Sequence, residues 1–215
     1  MKDERLRRAE GCVDQLLNLH TLIEILLGIS LSAASGFRVF VPLLALSTAA
    51  VVGHIDLPTD FDWIENPQAL AVFAVACALE IGGYYIPWFD HVLDVAATPA
   101  AILAGTVVTA SLAPDMNPLV QWTLALVAGG GTAGITKGLM NLLRATSTAT
   151  SGGLANPVVA TIELVVAIAL SVLAITLPVV AGIVVIGLLV FAISKLLQLF
   201  SRLKRRQGSL EKLPQ

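Results

Sequence analysis

The chain has 215 residues, 56% of them hydrophobic and 13% charged, where an ordinary soluble domain carries about 25% charged residues. Thirteen Lys and Arg stand against fifteen Asp and Glu, a formal net charge of −2, and no nucleic-acid partner is expected. This composition predicts an all-α integral membrane protein, a single membrane domain over residues 1–215 in contact with membrane lipids.

A spanning helix needs about 20 mostly apolar residues. Apolar segments at 16–52, 67–88, 92–113, 118–143, 154–177 and 179–201 predict about six transmembrane helices. Four of the thirteen basic residues fall in the first eight positions and six lie between Lys195 and Lys212. Lys and Arg at span ends stay preferentially on the cytoplasmic side, so both termini are expected there, and six crossings satisfy this.

Residues 1–15 read as a cytoplasmic amphipathic start, with Leu6 and Val13 on one face and Arg5, Arg8 and Asp14 wet. They do not open a signal peptide. SAAS at 32–35 resembles a cleavage site, but the apolar run continues to Val52, too long for a cleaved segment. As one helix the run 16–52 would extend roughly 55 Å, so it must be broken or bent. SGFRVFVP (35–42), with a glycine, an arginine and a proline, is the predicted break.

Arg38, inside that break, is the most informative residue. A charge at bilayer depth costs at least about 2.5–3.5 kcal/mol and is kept only where it pairs or binds something. Pairing with Glu24, Glu80 or Glu163 and capture of an anionic group are both open. The loop 53–66 (GHIDLPTDFDWIEN) carries four acids and no Lys or Arg, which places it outside.

In YYIPWFDHVLD (84–94), Asp90 and Asp94 share a helix face and are candidate ligands for a divalent metal with phosphate. The competing reading is an interfacial aromatic belt of Tyr84, Tyr85 and Trp88. It is favoured, because the Asp-Gly-Ala-Arg pattern of membrane phosphotransferases is missing. Cys12 and Cys77 suggest neither a disulfide nor a metal site. Gly130, Gly134 and Gly138 fall on one helical face, as do Gly28, Ser32 and Gly36, a spacing that lets helices pack closely in lipid. Lys137 is a second cation at depth, with Glu163 and Glu80 as expected counter-charges.

RATSTATSGGLANP (144–157) interrupts the apolar pattern again. Shifted by 100 residues, it lies on LALSTAAVVG (44–53): Ala45, Ser47, Thr48, Ala49 and Gly53 meet Ala145, Ser147, Thr148, Ala149 and Gly153. The same shift brings Arg38 within one position of Lys137, and Asn66-Pro67 corresponds to Asn156-Pro157 after a short deletion. Chance likeness of apolar segments is the alternative, and agreement at polar positions argues against it. Repeat 1 would cover 16–113 and repeat 2 114–201. Three spans per copy invert the second, which gives two inverted three-helix repeats with broken or re-entrant segments, an arrangement common in transporters. The stretch 144–157 reads as a re-entrant or cavity-lining hinge, with Arg144 at its cytoplasmic-side entrance. Residues 202–215 form a basic cytoplasmic tail.

SGFRVFVP, ALEIGGYYIPWFDHVLD and GLMNLLRATSTATSGGLANP resemble a bacterial family of multi-pass inner-membrane proteins that is defined only as a domain of unknown function. The resemblance runs from about Leu26 to Glu163. It implies an integral protein of the bacterial inner membrane and no particular substrate.

No phosphate-binding Gly-rich loop, His-Glu-x-x-His or Gly-x-Ser-x-Gly occurs in the sequence, so no catalytic residue and no cofactor is expected. The leading expectation is a small transporter or channel for an anionic solute or lipid phosphate. Its substrate-binding or pore-lining candidates are Arg38, Lys137, Arg144, Ser47, Thr48, Ser147, Thr148, Asn156, Glu80 and Glu163. The alternatives are an intramembrane enzyme acting on a lipid phosphate through Asp90 and Asp94, and a non-catalytic accessory subunit. Self-association as a homo-oligomer is compatible with each.

Overall fold

A computed structural model of the chain describes residues 19–86, 89–113 and 117–210, without the side chains of 90, 91, 196, 197 and 199–210. Among the described residues there is no strand. The helices are α1 (Leu19–Phe37), α2 (Phe40–Val51), α3 (Pro67–Gly83), α4 (Phe89–Leu112), α5 (Pro118–Ser151), α6 (Asn156–Thr176) and α7 (Pro178–Leu210), with a 3-10 segment at Thr59–Glu65. Five helices are long and apolar enough to cross a membrane, or six when Thr59–Glu65 and α3, bent by 60°, count as one span. The protein is therefore all-helical and built for the bilayer.

Residues 16–52 are not the single crossing that hydropathy suggests. The helix stops at Phe37 and restarts at Phe40, within SGFRVFVP. The two pieces then run in opposite directions. Glu24 and Leu27 of α1 line one hollow with Ile55–Pro58, just beyond α2, and with Ser111–Ala113 at the end of α4. The Ser47 hydroxyl of α2 donates to the Ile64 carbonyl (2.7 Å), while the amides of Val39 and Phe40 meet Glu80 near the end of α3. So α1 descends from the acidic-loop end to Arg38, and α2 climbs back beside α3. Pro42 is tolerated here because a first-turn N–H has no helical partner in any case.

From α3 onward the chain alternates. Helix α5 runs against α4, since Gln121 reaches Ala110 and Lys137 reaches Asp94. Helix α7 leaves the loop end with Gly182 against Leu26 and passes Ala33 and Leu170 at Val185. The described path thus begins at the loop end and finishes at the opposite, tail end. The basic residues 1–8, on which a cytoplasmic N-terminus was argued, lie outside the described residues.

Small residues set the spacing of α1, α4 and α5. A Cβ on Gly129 would stand 2.2 Å from Thr109 Oγ1 and 2.4 Å from the Gly105 carbonyl oxygen, and one on Gly36 would stand 2.5 Å from Thr136 Cβ. The Ser32 hydroxyl closes the same seam, donating to the Gly105 carbonyl (2.7 Å). Helix α5 is π-helical over Ala125–Gly130, a local widening of the backbone at this closest approach. Gly138, which also fits the fourfold spacing, faces nothing within 4 Å. Gly129→Ala should therefore destabilise the bundle by about 1–3 kcal/mol through overpacking. Gly138→Ala should be neutral or slightly stabilising, because alanine is the better helix former; thermal unfolding in detergent compares the two.

Candidate functional site

Near the tail end the helices enclose a cluster of charges. Arg38 is 1% exposed, Lys137 1%, Arg144 3%, Glu80 6% and Glu163 2%. Each position follows from local structure. Gly36 lets the end of α1 press on α5, which sets Arg38 beside the helix bearing Lys137. The fold-back at Val39 frees two amide groups, and the Glu80 carboxylate accepts both, Val39 N to Oε1 (2.8 Å) and Phe40 N to Oε2 (3.0 Å). Glu80 is thus the cap of α2, favoured by the positive end of that helix.

Arg144 and Glu163 form a two-bond ion pair, with Nε donating to Oε1 (3.0 Å) and Nη2 to Oε2. Arg144 Nη1 also lies 3.7 Å from Asp94 Oδ2. Lys137 Nζ donates to Asp94 Oδ1 and to the Tyr84 hydroxyl, both at 3.2 Å. Glu163 serves Arg144 rather than Arg38 or Lys137, and Glu24 sits at the loop end against His20 (2.9 Å). Arg38 makes no ion pair among the described residues. Its Nη2 donates to the Ala160 carbonyl (2.8 Å), and its Nε and Nη1 have no partner.

Tyr84 is the centre of this cluster and was missed in the sequence, where it reads as a belt aromatic. It is 2% exposed. Its ring centre lies 4.0 Å from Arg38 Cζ and 4.3 Å from Arg144 Cζ. Both guanidiniums thus lie against the phenol ring. Its hydroxyl donates to Asp94 Oδ1 (3.2 Å) and accepts from Lys137. The signal that could have found it is the short distance in sequence to Glu80 and Asp94, about one helical turn and one turn of chain away.

A polar cleft of about 720 Å³ opens beside the cluster, lined by Asp94, Thr98, Asn141, Arg144, Thr148 and Asn156 among others. The Asn156 side chain faces Thr148 (3.3 Å), and Asn141 Oδ1 is buried without a partner. RATSTATSGG is helical to Ser151 and lines the cleft with Arg144, Ala145, Thr148 and Ala149, and the chain turns at Gly152 and Gly153, with φ of 63° and 88°. Ser147 Oγ is buried and unpartnered, while Thr48 bonds its own helix at Leu44 and does not join the cluster. Ser47 likewise sits apart, on the acidic loop.

For a metal, Asp94 is engaged by Lys137, Tyr84 and Arg144, and the Asp90 side chain lies outside the described residues. No group of three His, Cys, Asp or Glu residues converges among the described residues.

Removing one partner of a buried ion pair strands the other, at about 3–5 kcal/mol. Glu163→Leu should therefore lower the melting temperature sharply. The double change Arg144→Met with Glu163→Leu should recover most of the loss, because two apolar side chains replace the pair without an orphan charge; a double-mutant cycle of melting temperatures in detergent reads this directly.

No curated protein and no solved structure matches the chain. A family model matches residues 25–198, from the middle of α1 to near the end of the described side chains of α7, and so takes in every residue of the buried cluster and its cleft. The chain belongs to the family described as Domain of unknown function (DUF4126).

Proposed function

We propose that the protein is a small transporter or channel of the bacterial inner membrane, moving an anionic solute or a lipid phosphate past Arg38 between two inverted repeats. The observation that carries this reading is Arg38 itself. A guanidinium at 1% exposure with two unpartnered nitrogens is an unmet demand for an acceptor at membrane depth. Arg144 and Lys137 are ion-paired, whereas among the described residues Arg38 has no ion pair, although the Glu80 charge is felt nearby.

Support for the repeat comes from what the matched positions line. Ala45, Thr48 and Ala49 border a cleft of about 340 Å³ with His54 and Thr176 at the loop end, and Ala145, Thr148 and Ala149 border the polar cleft at the tail end. Each copy also ends on left-handed glycine, Gly53 in one and Gly152-Gly153 in the other, before an Asn-Pro that opens the next helix. Under this reading α2, α3 and α4 run opposite to the end of α5, α6 and α7. Under the same reading the basic residues of α7 favour a cytoplasmic tail end.

The balance of three cations against Glu80, Asp94 and Glu163 favours a second reading, an accessory subunit whose charges only hold the bundle. Transport separates the two. Purified protein in liposomes should take up labelled inorganic phosphate, or scramble a labelled anionic phospholipid, the two arms telling a free anion from a headgroup. Arg38→Gln, folded by thermal melt, should abolish the active arm; full activity in that variant, or inactivity of the wild type in both arms, removes the transport reading. In a background lacking Cys12 and Cys77, Thr48→Cys and Thr148→Cys should react with an impermeant thiol reagent from opposite sides of the membrane. Labelling of both from one side would contradict the inverted arrangement.

A further inference from the structure

We infer that Tyr84 controls access to Arg38: its ring is the partition between the polar cleft and the unsatisfied guanidinium, and a small oxyanion in the cleft meets Arg38 only when that ring leaves. This rests on the transport reading and adds the residue that gates it.

The geometry is layered. Arg144 and Asp94 are in the cleft wall. The Tyr84 ring lies against Arg144 and also against Arg38. Arg38 itself is not in the cleft wall and is 1% exposed.

The ring is also held by groups that an oxyanion would engage. Stacking over a phenol satisfies the flat faces of the two guanidiniums through cation–π attraction but leaves their in-plane N–H groups to other acceptors. At Arg144 those acceptors are Glu163 and Asp94; at Arg38 only Nη2 has one, the Ala160 carbonyl. The hydroxyl is fastened to Lys137 and Asp94, and Asp94, with 22% of its side chain exposed, is the one carboxylate of the cluster that water reaches readily. An anion arriving in the cleft meets Arg144 in its wall and competes with Asp94 for Arg144 and Lys137, the cations that hold the ring by its face and by its hydroxyl. Competition for those cations loosens the phenol, and the site that its departure uncovers is Arg38.

The access itself can be measured without knowing the cargo. Full-length protein in lipid nanodiscs is treated with p-hydroxyphenylglyoxal, a water-soluble reagent for guanidinium groups, and modification of the Arg38 peptide is followed by mass spectrometry. Wild-type Arg38 should be protected. Tyr84→Ala should lose that protection, and Tyr84→Phe, which keeps the ring and the packing but drops the fastening hydroxyl, should lose it in part. Inorganic phosphate should restore protection in both variants. If Arg38 is as unreactive in folded Tyr84→Phe and Tyr84→Ala as in the wild type, or if wild-type Arg38 reacts as fast as in the denatured chain, the gate is overturned. Should Tyr84→Ala not fold, the comparison of Tyr84→Phe with the wild type decides alone. Arg38 that becomes reactive but gains no protection from phosphate leaves the gate standing and counts against phosphate as the cargo.

Discussion

Charge that cannot reach water governs this molecule. Three cations lie at 3% exposure or less, in a bundle where the medium beyond the protein is hydrocarbon; Lys137 and Arg144 find their counterparts within the chain, and Arg38 keeps two unpartnered nitrogens. The pairing is not one-to-one by proximity in sequence. Glu163 reaches Arg144 nineteen positions back across the α5–α6 turn, Asp94 serves both Lys137 and Arg144, and Glu80 caps the backbone of α2. Only helices packed almost backbone to backbone can bring five elements to one such point. The glycines and serines of α1, α4 and α5 are therefore electrostatic in consequence although steric in action, since a methyl group on Gly36 or Gly129 would push the charged ends apart.

The fold-back at Arg38 follows from the same constraint. Breaking a helix inside a membrane exposes amide groups that nothing in lipid can satisfy. Val39 and Phe40 are freed by the break, and both go to a single carboxylate. A break is thus stable here because an acid was placed on the neighbouring helix at the right depth. Removing that acid would leave two amides and a helix dipole uncompensated, which makes Glu80 as much a part of the backbone design as Pro42 or Gly36.

Much of this was legible in the chain and some was not, for physical reasons. Composition and apolar length disclosed the membrane helices, and a run of 37 residues with Gly, Arg and Pro inside it disclosed a break near Arg38. Hydropathy carries length but no direction, so the return of α2 to the loop end stayed hidden; that became visible only through tertiary contacts such as Ser47 with Ile64. The charged residues announced themselves because their solvation cost is independent of context. Their partners did not, since Glu24, Glu80 and Glu163 are chemically alike and only packing chooses among them. Tyr84 was the hardest to see: an aromatic at a span end is ordinarily an interfacial anchor, and only its nearness in sequence to Glu80 and Asp94 points to the buried cluster.

The proposed repeat explains why the two halves solve their burial problems differently. Aligned on Asn66 and Asn156, Glu80 falls opposite Leu170, fourteen residues on in each copy. In the second copy α5 runs unbroken through Lys137, so no amides are freed and nothing needs the cap that Glu80 supplies in the first. The reverse substitution occurs one layer away. Arg144 stands where the first copy has Leu44, and Glu163 where it has Phe73. Leu44 and Phe73 belong to one apolar cluster, whereas their counterparts are an ion pair. Replacing an apolar contact with a buried ion pair is close to neutral for stability when the geometry is good, so packing alone does not select it. What the pair adds is position: it holds a guanidinium against Tyr84, beside Arg38, and under the proposed repeat it gives the tail-end cleft a charged wall where the loop-end cleft is apolar.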